Sequence, residues 1–150
     1  MLKRIRFGGK LTTVKNISEE KGGAMNTLSK EDFVKNVNHV EERLNINFPQ
    51  IYVDYLYDHI ETPWNMTINI ESQSYCFEWL FTFVPFDELD ILDKYNENKN
   101  FVGFNTIPIS CTKNALLCLK FSSAKEYEII LYKENGFSVV LGKDISLFLH

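Results

Sequence analysis

Every second residue from Tyr75 to Phe83 is aromatic: Tyr75, Phe77, Trp79, Phe81 and Phe83. In an extended chain successive side chains point to opposite faces, so the five rings line one side. On a helix the same spacing would scatter them around the axis. The segment 74–84 therefore calls for a strand with one face under a thick apolar layer. Just upstream, Met66, Ile68 and Ile70 alternate with Thr67, Asn69 and Glu71. Ser72-Gln73 between the two runs is short enough for a hairpin. The stripe reads most simply as core. Trp64 and Trp79 are the rings best suited to line a cleft, because large aromatics anchor interfaces.

The covering layer is helical. Ser29 followed by Asp32 makes a capping-box-like start. Phe33, Val37, Val40 and Leu44 then recur at helical spacing, with Glu41 and Glu42 off the stripe. After Asn45-Ile46-Asn47, Phe48-Pro49 opens a second helix. Ile51, Tyr52, Val53, Tyr55, Leu56 and Tyr57 surround it almost completely, which predicts a largely buried helix with Asp54 and Asp58 at its polar edge. Pro85 is expected to start a third helix. Leu89, Ile91, Leu92 and Tyr95 would share one side of it and Asp87, Asp90, Asp93 and Glu97 the other, with a polar loop at Asn96–Asn100.

The C-terminal third reads as strands 105–111, 115–121, 127–132 and 137–141. Turns fall at Lys113-Asn114, Ser122–Lys125 and Glu134-Asn135-Gly136, the last suited to a tight hairpin. Gly142-Lys143-Asp144 caps a final short helix from Ile145 to Leu149. The order is ααββαββββα without a βαβ rhythm. This predicts an α+β fold, a mostly antiparallel sheet of about six strands packed with three to four helices.

With 150 residues, 45% of them hydrophobic, the chain suffices for one domain with its own core. Residues 1–28 show no sustained period and are expected to be a flexible extension, leaving 29–150 as the domain. Lys21-Gly22-Gly23-Ala24-Met25 is the kind of stretch that a purine-rich ribosome-binding site and a start codon would encode, which makes Met25 an alternative initiator. No run of eighteen apolar residues predicts a membrane span, and the N-terminus lacks the apolar region of a secretory signal. Cys76, Cys111 and Cys118 each fall in an apolar run. An odd number of cysteines without a signal points to reduced, buried thiols and a cytoplasmic protein.

Charge is unevenly spread. Residues 1–24 carry six basic and two acidic side chains, residues 25–150 ten basic and eighteen acidic. Between Arg43 and Lys94 there is no Lys or Arg, and nine acids: Asp54, Asp58, Glu61, Glu71, Glu78, Asp87, Glu88, Asp90 and Asp93. Such a surface repels nucleic acid and steers a basic partner; the plainer reading is a solubilising surface.

No catalytic pattern stands out. His39 lies opposite its helix's apolar stripe, His59 sits at a helix end and His150 is the last residue. No second histidine follows His39 at metalloprotease spacing, and the cysteines lack zinc-ligand spacing. No pair among the twenty acids is singled out for acid–base work. The expectation is no cofactor, no metal and no enzyme.

The ordered set of motifs resembles the SUKH superfamily, of the Syd and Smi/Knr type, over about residues 33–149. The acidic helix end is Glu41-Glu42-Arg43-Leu44. The second-helix pattern is Phe48-Pro49-Gln50-Ile51-Tyr52-Val53-Asp54-Tyr55-Leu56. Ile107-Pro108-Ile109, Ala115–Leu119, Ile129-Ile130-Leu131-Tyr132 and Leu147-Phe148-Leu149 match the later strands and the terminal helix. The family often has an Asn-Gly turn after the second helix; this chain has Asp58-His59-Ile60-Glu61-Thr62-Pro63-Trp64 instead. The resemblance implies a binding module. Many bacterial members look like immunity proteins that neutralise secreted toxins, frequently nucleases; fungal relatives regulate cell-wall synthesis. On that footing the expected partner is a basic toxin domain, and the expected contact residues are Asp87, Asp90, Asp93, Asp54, Asp58, Glu61 and Trp64. A regulatory scaffold or ligand-binding module without a toxin partner is the alternative.

Overall fold

The computed structural model describes residues 28–85 and 87–150. The expected N-terminal extension, apart from Leu28, and the Met25 start fall outside them; Leu28 packs against the core. Helix α1 (Lys30–Leu44) begins where expected: Ser29 Oγ accepts the Asp32 N–H at 3.0 Å. Phe33, Val37 and Val40 are buried, Leu44 half-buried, and His39 exposed. Asn45 ends the helix in the left-handed conformation (φ 58°). Glu41, off the apolar stripe, turns out to be structural. Its Oε2 accepts the Phe48 N–H at 2.7 Å and so fixes the link into the next helix.

Helix α2 (Gln50–Asp58) follows Pro49, which occupies the cap position. It buries Tyr52, Val53 and Leu56, but Ile51 is 52% exposed. The expectation of burial on nearly all sides is therefore corrected. The short helix lies against the core along one stripe and leaves Ile51 and Asp58 outward.

Strands β1 (Met66–Ile70) and β2 (Gln73–Phe77) pair antiparallel, with Ile70 opposite Gln73. The turn is thus Glu71-Ser72, one residue earlier than expected, and Glu71 adopts φ 57°. All five rings of the stripe are buried. The ladder, however, stops at Phe77. The chain then runs extended along the later sheet, touching it at the single bridge Leu80–Ser110 and through the Phe81 N–H to Ile109 carbonyl bond of 2.8 Å. Side-chain alternation outlasts strand pairing here because both sides of the segment are covered: Leu80, of opposite parity, is buried too. Phe83 closes the stripe in edge-to-face contact with Phe33 (5.9 Å) and Phe48 (5.1 Å).

Helix α3 spans Ile91–Val102, starting six residues after Pro85 and continuing through the polar stretch expected to be a loop. Three hydrogen bonds explain the shift. The backbone of Thr82 bonds Leu89 and Ile91 (both 2.8 Å), which holds the preceding residues in turns. Asp90 then caps the helix by accepting the Leu92 N–H at 3.1 Å. Downstream, Asn98 is buried and bonds the Lys94 carbonyl at 2.9 Å, so this residue of the polar run packs inward while Asn96, Glu97 and Asn100 stay exposed on the helix. Gly103, at φ 109°, ends it.

Strands β3 (Thr106–Cys111), β4 (Ala115–Phe121), β5 (Tyr127–Lys133) and β6 (Ser138–Gly142) form a four-stranded antiparallel sheet in chain order. The fold is α+β, and its six antiparallel strands divide into sheets of two and four. Both faces of the larger sheet are covered. Phe121 meets Phe48 (6.2 Å) on the α1–α2 side, whereas Tyr132, of opposite parity across the sheet, meets Phe101 of α3 (6.2 Å). The expected terminal α-helix is a 3-10 turn, Ile145–Phe148, capped by Asp144. No helix of the described residues is long and apolar enough to cross a membrane.

Cys111 and Cys118 are buried in the sheet, as expected. Burial pushes the Cys111 thiol up to about 12 and raises Cys118 as well. Cys76 is exposed, a correction. It lies in the stripe at even parity, between rings that point inward, and so faces out.

Candidate functional site

The end of α2, the loop 60–64 and the segment 79–89 converge on a cleft of about 540 Å³, counting its solvent-open mouth. Tyr55, Leu56 and His59 come from the helix. Ile60, Glu61, Thr62 and Trp64 come from the loop, and Trp79, Leu80, Thr82, Val84, Asp87 and Leu89 from the third segment.

Each wall is held by identifiable bonds. His59 stacks on Tyr55, four residues earlier on α2, with centroids 4.0 Å apart and planes at 17°. Its Nδ1 lies 2.9 Å from the Tyr55 carbonyl oxygen. The Thr62 N–H returns to the His59 carbonyl at 3.0 Å, and Glu61 takes φ 73° to complete the turn. Trp64 is then anchored three ways. Its N–H donates to the Glu78 carbonyl (2.7 Å), its indole Nε1 donates to the Phe148 carbonyl (3.1 Å), and its own carbonyl lies 3.1 Å from His150 Nε2. Burial raises the Tyr55 phenol above its ordinary value, opposed by a backbone hydrogen bond from His150. The chain end thus braces both the α2 wall and the loop. On the far wall, Ser110 Oγ donates to the Trp79 carbonyl, and Asp87 Oδ1 accepts the Leu89 N–H at 3.0 Å.

Of the residues expected to meet a partner, Glu61, Trp64 and Asp87 come together in this cleft. Trp64 is only 2% exposed and forms a wall of the cleft. The proposed acidic helix face is also corrected. Asp87 and Asp90 precede α3 and use their carboxylates as local caps, and only Asp93 and Glu97 lie on the helix, both exposed. Asp54 points elsewhere on α2, accepting from Gln50 Nε2 (2.9 Å) and lying 3.9 Å from Lys30 Nζ. Asp58 is exposed on the last turn of α2, outside the cleft lining.

Sequence reasoning missed Tyr55 and His59 as a pair. Their spacing of four on a helix was the available signal. Every lining residue lies between Tyr55 and Leu89, inside the stretch that contains no Lys or Arg. Among the described residues no cluster of three His, Cys, Asp or Glu could hold a metal. No family model, characterised protein or solved structure matches the chain.

Proposed function

We propose that this chain is a non-catalytic, cytoplasmic binding protein of the SUKH type that captures and neutralises a basic toxin domain. The observation that supports this reading best is the cleft. It is firmly braced, walled by aromatic rings, rimmed by Glu61 and Asp87, and lined among the described residues by no cationic Lys or Arg. Exposed acids outside its lining, Asp58 and Asp93 among them, add to the field that draws a basic protein in. Such charges act mainly on encounter rate and on choice of partner, while desolvated contacts hold the complex. Neutralisation then follows from occlusion: a toxin that uses a basic face to grip its substrate loses that face when the acidic protein covers it. No chemical step on the toxin is required.

The test is co-expression with the C-terminal domain of a large secreted polypeptide encoded next to this gene. Growth rescue and a stoichiometric complex are expected. Continued toxicity with no complex would remove the toxin from the reading. Isolation of a stable complex with an endogenous regulator instead would favour the scaffold alternative.

A further inference from the structure

We propose that the cleft between α2 and the segment 79–89 seats one guanidinium group, the side chain of an arginine projecting from the partner. Two carboxylate residues line the cleft with acceptor capacity to spare. Glu61 is exposed and makes no side-chain hydrogen bond among the described residues, and Asp87 commits only Oδ1, to the Leu89 N–H. An anionic ligand is disfavoured by both. An apolar ligand would partly desolvate the carboxylate oxygens left unbonded, which is costly. A cation satisfies them.

The walls choose between the two protein cations. Tyr55, Trp64 and Trp79 line the cleft alongside Leu80, Val84 and Leu89. A lysine ammonium is compact and strongly hydrated and would have to shed water against these surfaces. Guanidinium is planar, more weakly hydrated and stacks on aromatic rings, and its fork of donors matches a carboxylate in two places at once. The bracing of the walls matters as well. The Tyr55–His59 stack and the three anchors of Trp64 hold the rings before any ligand arrives, so little ordering remains to be done on binding. The inference rests on the binding reading above only for the identity of the molecule that carries the arginine.

The direct experiment needs no toxin. Titrate the full chain with N-acetyl-arginine methylamide and follow amide and indole resonances by heteronuclear NMR. Run the citrulline counterpart, nearly the same shape without the charge, and the lysine counterpart beside it. Saturable shifts are expected at the Trp64 and Trp79 indoles and around His59–Thr62 and Asp87–Leu89. Lysine should bind more weakly and citrulline should give no saturable shifts. E61Q combined with D87N should lower arginine affinity roughly tenfold or more, since the charged acceptors of the guanidinium are lost. Asn at 87 retains the Oδ1 acceptor for Leu89, and E61Q alone, at an exposed site, serves if the double variant does not fold. Equal responses to arginine and citrulline would overturn the assignment, as would shifts spread over remote acids such as Glu71 and Glu126, or an E61Q variant that binds as well as the parent. A toxin complex that forms unchanged with E61Q/D87N would keep the binding reading and discard the arginine seat. Arginine binding without any toxin complex would do the reverse.

Discussion

Glu41 shows how much one side chain can decide. It lies on the polar side of α1 by pattern, yet it is half-buried, and its carboxylate holds the Phe48 N–H at 2.7 Å across the link to α2. Glu41→Ala should lower stability by about 1–3 kcal/mol, because a buried donor loses a charged acceptor. Glu42→Ala, its exposed neighbour, should stay within about 0.5 kcal/mol. Urea midpoints of the two variants make the comparison; equal midpoints would mean the Phe48 amide finds another partner. The thiols give a second test. Cys111 is raised to about 12 by burial and Cys118 is raised as well, so folding favours their neutral form. The unfolded chain releases these protons from about pH 8.5 upward. Stability is therefore fully present below that pH and should fall as pH climbs toward the folded value of about 12. A midpoint that stays level from pH 8 to pH 10.5 would contradict this. In the native state Cys76 alone should react quickly with a thiol reagent, and all three cysteines should react in denaturant.

At the scale of elements, α3 holds the main lesson. Its acids looked like one solvated helix face. Two of them instead terminate turns and start the helix, because a short carboxylate competes well for nearby backbone N–H groups. Asp90→Ala should therefore cost about 0.5–2 kcal/mol through the lost cap, and Asp93→Ala should cost almost nothing. Thermal midpoints separate the two; equal losses would return Asp90 to the solvated face. The strands of the larger sheet were legible to within a residue or so, since alternation, turn residues and short loops all agree there. The extent of β2 was not. Alternating burial reports which side of an extended chain faces the core, and it is silent on whether a neighbouring strand supplies hydrogen bonds. The division into two sheets was hidden for the same reason. The cleft was half legible: the missing cations, Trp64 and the acids stood out in sequence. The Tyr55–His59 stack and the caging of Trp64 depend on contacts with residues as distant as Phe148 and His150.

Taken as one molecule, the chain separates two jobs. The four-stranded sheet and the helices on its two faces hold the fold, and the edge where α2 meets the segment 79–89 carries the acidic cleft. A basic partner should be drawn there by charges acting over the screening length of about 8 Å at physiological salt. Stopped-flow association of E61Q/D87N with such a partner should be slower than that of the parent and should depend less on ionic strength. Unchanged rates at two salt concentrations would move the docking face elsewhere. Trp64 and Trp79 are the only tryptophans in the chain, and both line this cleft. The protein's intrinsic fluorescence therefore originates almost wholly at the proposed seat. A cation stacked there should alter the emission directly, without a dye or a label. Global unfolding should shift the same emission to longer wavelength, so one optical signal can follow both occupancy of the cleft and integrity of the fold.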